Sequence, residues 1–232
     1  YLRKVFILNL LVSLIMSQEQ LGSDIDGEVA GDNSGGSVSL DSDGDRVAIA
    51  ASSNDGGADN AGHVRIYSLD GNSWSQLGSD IDGEAAGDYS GVSVSLDSDG
   101  DRVAIGGYFN DGSYSDAGHV RIYEYSGGTW SRLGSDIDGE AAGDQSGVSV
   151  SLDSEGDRVA IGALYNDGNG SNSGHVRIYE YSSSSWSQLG SDIDGEASDD
   201  YSGKPVSINS DGDRVAIGAF PNDGNGSNSG HV

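Results

Sequence analysis

The stretch Leu133–Gln188, LGSDIDGEAAGDQSGVSVSLDSEGDRVAIGALYNDGNGSNSGHVRIYEYSSSSWSQ, recurs almost unchanged on both sides of itself. Its counterparts begin at Leu21, Leu77 and Leu189, a constant spacing of 56 residues. Periods of this size mark propellers, solenoids or arrays, in which one unit cannot bury its own apolar face and its neighbours supply the rest of the core.

Each unit holds four apolar runs, seen most clearly in the second copy. Val92-Ser93-Val94-Ser95-Leu96 alternates with the period of a strand, and Val103-Ala104-Ile105-Gly106 follows it. Between them Asp99-Gly100 is a two-residue hairpin signal, repeated as Asp43-Gly44, Glu155-Gly156 and Asp211-Gly212. The third run is His119–Tyr125 and the fourth Trp130–Ile137, joined by the turn Ser126–Thr129. Two hairpins per unit predict a four-stranded antiparallel sheet. Ser93, Ser95, Ala104 and Gly106 face one way and bulkier residues the other, so a thin face can stack on a thick one. The fold class expected is therefore all-β, a β-propeller of four-stranded antiparallel blades. A β-solenoid fits less well, because it prefers parallel coils to paired hairpins.

Leu21–Ile25 reads as a fourth strand without its three predecessors, and the last copy reaches only the start of its third strand at His231-Val232. About three to four blades are expected, as part of a larger ring. Residues 1–17 differ in kind from the repeats at 18–232: Arg3 and Lys4 precede a mostly apolar run, Val5–Met16, and Ser17 offers a small residue for cleavage. That pattern is a secretory signal peptide, too short to span a bilayer, so the mature chain is not expected to insert in a membrane.

Among 232 residues, 38 acidic side chains against 11 basic ones give a formal charge of −27. Such a surface repels nucleic acid phosphates and anionic lipid, and favours cations or basic partners. With no cysteine, neither disulfides nor thiolate chemistry are available.

With these runs in view, the chain resembles FG-GAP repeats, the units of the integrin-α-type β-propeller. The matching residues are Ser146-Gly147-Val148-Ser149-Val150, Asp153–Asp157, Val159-Ala160-Ile161-Gly162-Ala163 and Gly174-His175-Val176-Arg177-Ile178-Tyr179, with counterparts in every copy. Ser34, Ser90, Ser146 and Ser202 stand where the family has Phe. The resemblance implies a secreted or cell-surface scaffold for adhesion or ligand binding to an extracellular protein or glycan, with calcium as cofactor and no catalysis. The alternatives are a non-catalytic propeller serving a polysaccharide-active enzyme, or a structural surface array.

Two acidic clusters are the candidate metal sites. One is the hairpin Asp97, Asp99 and Asp101, shorter than the family's calcium loop. The other is Asp80, Asp82 and Glu84 with Asp88, dense in carboxylate and glycine. Either set can instead serve structure, as turn acids bonded to nearby backbone. His63, His119, His175 and His231 share one repeat position, where a structural use at the start of a strand is expected. Trp74, Trp130 and Trp186 likewise read as packing. No acid–base pair escapes the repeat symmetry, so no catalytic residue is assigned. The loops after the second strand do vary, and variable loops on a rigid scaffold concentrate binding residues. Tyr108, Phe109, Tyr114, Tyr165 and Phe220 are the candidate ligand residues.

Overall fold

The computed structural model describes residues 20–232, so the signal-peptide expectation at 1–17 lies outside the described residues. Three antiparallel sheets and a two-stranded fourth follow one another along the chain, with no helix among the described residues. The first sheet contains β1 (Ser37–Leu40), β2 (Arg46–Ala51), β3 (His63–Asp70), β4 (Ser73–Gln76) and β5 (Ile81–Asp82). The second contains β6 (Ser93–Leu96), β7 (Arg102–Gly107), β8 (His119–Ser126), β9 (Thr129–Arg132) and β10 (Ile137–Asp138). The third contains β11 (Ser146–Leu152), β12 (Arg158–Ala163), β13 (His175–Ser182), β14 (Ser185–Gln188) and β15 (Ile193–Asp194). The fourth pairs β16 (Val206–Ile208) with β17 (Val215–Ile217), and Ala219 bridges His231 where a third strand starts.

Two expectations change in detail. The fourth strand is split: β9 pairs with the C-terminal half of β8 and β10 with its first two residues. Between them Gly134 takes φ of 80°, a left-handed conformation that lifts the chain off the ladder. Leu21–Ile25 forms no strand; instead the Leu21 carbonyl accepts a hydrogen bond from Trp74 Nε1 at 2.9 Å.

The apolar residues of each blade are completed by the next blade. Ala48, Ala50, Val64 and Ile66 of the first sheet pack against Val94, Leu96, Val103 and Ile105 of the second. Ala104, Val120 and Ile122, on the other face of the second, meet Val150, Leu152, Val159 and Ile161 of the third. Thin face lies on thick face, and no blade has a core of its own.

Serine does more than make a face thin. β1, β6 and β11 are the inner edges of their sheets, and an edge strand has backbone N–H groups without a ladder partner. Val94 and Leu96 donate theirs to Ser37 and Ser39 Oγ of the preceding blade, at 3.1 and 2.9 Å. Leu152 donates to Ser95, and Val206 and Ile208 to Ser149 and Ser151. At the hairpin tips Ser42, Ser98, Ser154 and Ser210 form a backbone column, the N–H of each of the first three bonded to the next carbonyl at 3.0–3.1 Å. A second seam runs along the outer strands: Trp130 Nε1 donates to the Leu77 carbonyl and Trp186 Nε1 to that of Leu133. The tryptophans therefore pack, as expected, over Gly78 and Gly134, where a Cβ would lie 2.8 Å from the indole.

Candidate functional site

Two groups of side chains stand out once the blades are stacked: aromatic residues on the loops, and acid–histidine clusters at the seams.

The loop after β7 turns on Asn110, whose side chain donates to Asp88 Oδ2 and accepts from the Gly112 N–H. Asp32–Asn54 and Asp144–Asn166 repeat this pairing at 2.9 and 3.0 Å. Asp88 is thus buried in a structural anchor that holds the connection to the loop. On that fixed base Tyr108 and Phe109 lie with ring centroids 4.1 Å apart, and Tyr89 completes the group at 6.0 and 5.8 Å. Tyr165 meets Tyr201 edge to face at 5.5 Å. Burial pushes the Tyr108 hydroxyl up from its ordinary pKa, and nearby Tyr89 and Tyr165 add to the rise. Tyr114 and Phe220 are exposed and make no ring pair with these groups.

Tyr89 and Tyr201 were not anticipated. They occupy the repeat position also held by Asn33 and Gln145, and all four have φ of 50–57°. A bulky residue in that left-handed region is uncommon, and such conformations gather at functional sites. The available signal was that variation itself, in the connection rather than in the loop.

The hairpin acids behave as turn caps. Asp97 is buried, and its Oδ1 accepts from the Arg102 N–H at 3.0 Å. Desolvation pushes its carboxyl up to about 6, against the opposing pull of that backbone donor. Asp99 is exposed and Asp101 half-buried. Because the inner strands stack, Asp41, Asp97 and Asp153 line one shallow axial cavity of about 220 Å³ with the serine column. Equivalent positions at the hairpin tips therefore do converge on one place.

The second acidic cluster is divided. Asp80 and Asp82 line a groove of about 270 Å³ with Tyr123 and Trp130. Asp80 and Glu84, however, belong to different seams. Asp80 joins Glu28 and His63; Glu84 joins His119 and Asp136; Glu140 joins His175 and Asp192. In each triad the potential ligand atoms lie within 4.8 Å of one another, so these acid–histidine groups could hold a metal ion. The histidine is buried at the first residue of its strand, and the glutamate comes from the connection before that blade. An arginine two residues along the strand closes the group: Arg121 pairs with Glu84 and Asp136, and Arg177 with Glu140 and Asp192. Burial lowers the pKa of His119 and His175 despite the surrounding aspartates. Desolvation raises that of Asp192, but Gln188 and Arg177 outweigh it and leave the carboxyl below its ordinary range. The histidines start their strands as expected, and His63, His119, His175, Glu28, Asp136, Glu140 and Asp192 were missed as possible ligands.

No curated protein matches this chain. Among solved structures, the proposed 6-phosphogluconolactonase of Bacteroides uniformis is similar, with a TM-score of 0.52 and 11% identity over 78% of this chain and 46% of that one. The hydrazine synthase of Kuenenia stuttgartiensis is similar with a TM-score of 0.50 and 15% identity, over 79% of this chain and 49% of that one. This chain spans about half the length of either structure. At such identities the likeness concerns the fold alone. No helix among the described residues is long and apolar enough to cross a membrane. Residues 137–179, from β10 into β13, match the family model of the FG-GAP repeat. The chain is thus an all-β protein of the propeller type that carries an FG-GAP repeat.

Proposed function

We propose that this chain is a secreted or cell-surface binding scaffold that holds an extracellular glycan or protein on its loop face. The observation that carries the reading is the ring group Tyr89–Tyr108–Phe109, continued by Tyr165–Tyr201, on loops anchored by buried Asp–Asn pairs. Flat aromatic faces on a rigid base suit sugar rings, because little side-chain freedom is lost on binding. Tyr114 and Phe220, exposed on the corresponding loops, are the further candidate contacts. The role is binding rather than catalysis, since the acids recur blade after blade without an asymmetric pair. Calcium belongs to this reading as a support for the loops through Asp82, Asp99 or Asp101, which lie outside the acid–histidine triads. The acidic surface, formal charge −27, disfavours nucleic acid as a partner.

A glycan array probed with the full chain tests it. Binding that falls by about tenfold or more in both Tyr108→Ala and Tyr165→Ala, with an unchanged melting temperature, supports the loop face. Binding that survives both changes places the ligand elsewhere, and turnover of a polysaccharide by the chain alone would replace the scaffold reading with an enzymatic one.

A further inference from the structure

We propose that the triads Glu28–His63–Asp80 and Glu140–His175–Asp192 each bind a divalent transition-metal ion of the zinc class, which ties a blade to the connection before it. In the second copy Arg132 as well as Arg121 holds Asp136, and the two guanidinium groups balance both carboxylates.

The triad at His175 shows the reason best. His175 is 3% exposed, and its Nδ1 has no hydrogen-bond partner. A buried polar atom without a partner is costly, so the few that occur call for a reason. This one points into a small acidic space, with Glu140 Oε2 at 4.0 Å and Asp192 Oδ2 at 3.9 Å. Those separations are too long for hydrogen bonds. A tetrahedral ion with bonds of about 2.0–2.2 Å sets its ligand atoms about 3.3–3.6 Å apart, so the partly exposed Glu140 and Asp192 carboxylates would close in by about 0.5 Å to hold it. The first triad repeats the spacing: His63 Nδ1 lies 3.9 Å from Glu28 Oε2 and 3.8 Å from Asp80 Oδ2.

Charge permits a cation there. Arg177 contacts Glu140 through Oε1, leaving Oε2 turned to the imidazole, and it holds Asp192 through Nε and Nη2. Two carboxylates against one guanidinium leave one negative charge unbalanced. An incoming ion would share Asp192 Oδ2 with Arg177 Nη2, which is 3.2 Å away. The donor set also selects the metal. One imidazole nitrogen and two carboxylate oxygens match zinc and its first-row neighbours, whereas calcium asks for six to eight oxygens. The histidine and aspartate come from one blade and the glutamate from the connection before it, so binding requires that connection to be docked and stabilises it by linkage.

The test is zinc uptake by the full chain after removal of metal with a chelator, measured by calorimetry and by elemental analysis. One ion for each of these two triads is expected, with a raised melting temperature and no displacement by a large excess of calcium. Cobalt in place of zinc should give visible absorption bands that shift when the histidine is lost. His175→Ala should remove one ion per chain. Because that change could disturb a buried site, the more exposed Glu140→Gln supplies the second variant, expected to weaken one site by about tenfold or more. The proposal fails if the stripped chain takes up no zinc. It fails equally if uptake is unchanged in Glu140→Gln and in the His63→Ala/His175→Ala double variant, or if calcium displaces zinc.

Discussion

The tetrapeptide Ser-Val-Ser-Leu occurs as β1 and again as β6, identical in sequence and opposite in burial. Val38 and Leu40 are 60% and 59% exposed, whereas Val94 and Leu96 are 8% and 6% exposed. The difference is that β6 lies against a preceding blade, where Ala48, Ala50, Val64 and Ile66 cover it. Burial here belongs to the contact between modules, not to the module. Leu96→Ala should therefore cost about 2–5 kcal/mol, the range for a large aliphatic removed from a packed core. In the 232-residue chain, where no described sheet covers β1, Leu40→Ala should stay within about 0.5 kcal/mol, as exposed substitutions do. Urea unfolding of the two variants side by side checks this, and equal losses would show that the sheets do not share a core.

The serine residues sharpen the contrast on a smaller scale. Ser95 Oγ accepts the Leu152 N–H at 2.9 Å, while Ser207, at the corresponding strand position in the fourth copy, is exposed and makes no side-chain hydrogen bond among the described residues. Ser95→Ala leaves an edge-strand donor without its acceptor and should cost about 1–3 kcal/mol. In the 232-residue chain, where no described sheet follows β16, Ser207→Ala should be close to neutral. Amide exchange adds a local reading, because the Leu152 N–H should lose protection in the first variant and keep it in the second.

Much of this was legible in the residues. Asp-Gly turns and alternating runs gave the hairpins, and the 56-residue period gave the stacking. The thin face was legible too, but its hydrogen bonds were not. Ser95 reaches Leu152, 57 positions away, and only the register between two sheets decides whether a hydroxyl meets an N–H. The seam triads were hidden for a related reason. A repeat displays each residue beside its own copy, so Asp80 and Glu84 read as one acidic cluster. In space they part, each joining the histidine of a different blade. Among the aromatic residues, Tyr108, Phe109 and Tyr165 followed from loop variation. Tyr89 and Tyr201 sit in the connection, where a left-handed turn aims them at the same face.

The smallest expected effect concerns the hairpin acids, where the repeats have already made the comparison. Asp97 Oδ1 accepts from the Arg102 N–H, and Asn209 Oδ1 in the fourth copy accepts from the Arg214 N–H at 2.8 Å. The turn needs an acceptor, not a charge. Burial holds the folded Asp97 carboxyl near pH 6, above its ordinary value of 3.8. Its contribution to stability is thus fully present below about pH 4 and is lost as pH rises through about 6. Asp97→Asn keeps the acceptor and removes the ionisation. It should be near neutral at pH 4 and gain on the order of 1 kcal/mol at pH 7.5, a modest gain because Asp101 shares the site. Asp97→Ala, which loses the acceptor, should be destabilised at both pH values. Melting curves for the three chains at pH 4, 6 and 7.5 decide it. A calcium-dependent loss confined to Asp97→Asn would instead mean that the charge holds an ion, and that this hairpin differs in kind from its Asn209 counterpart.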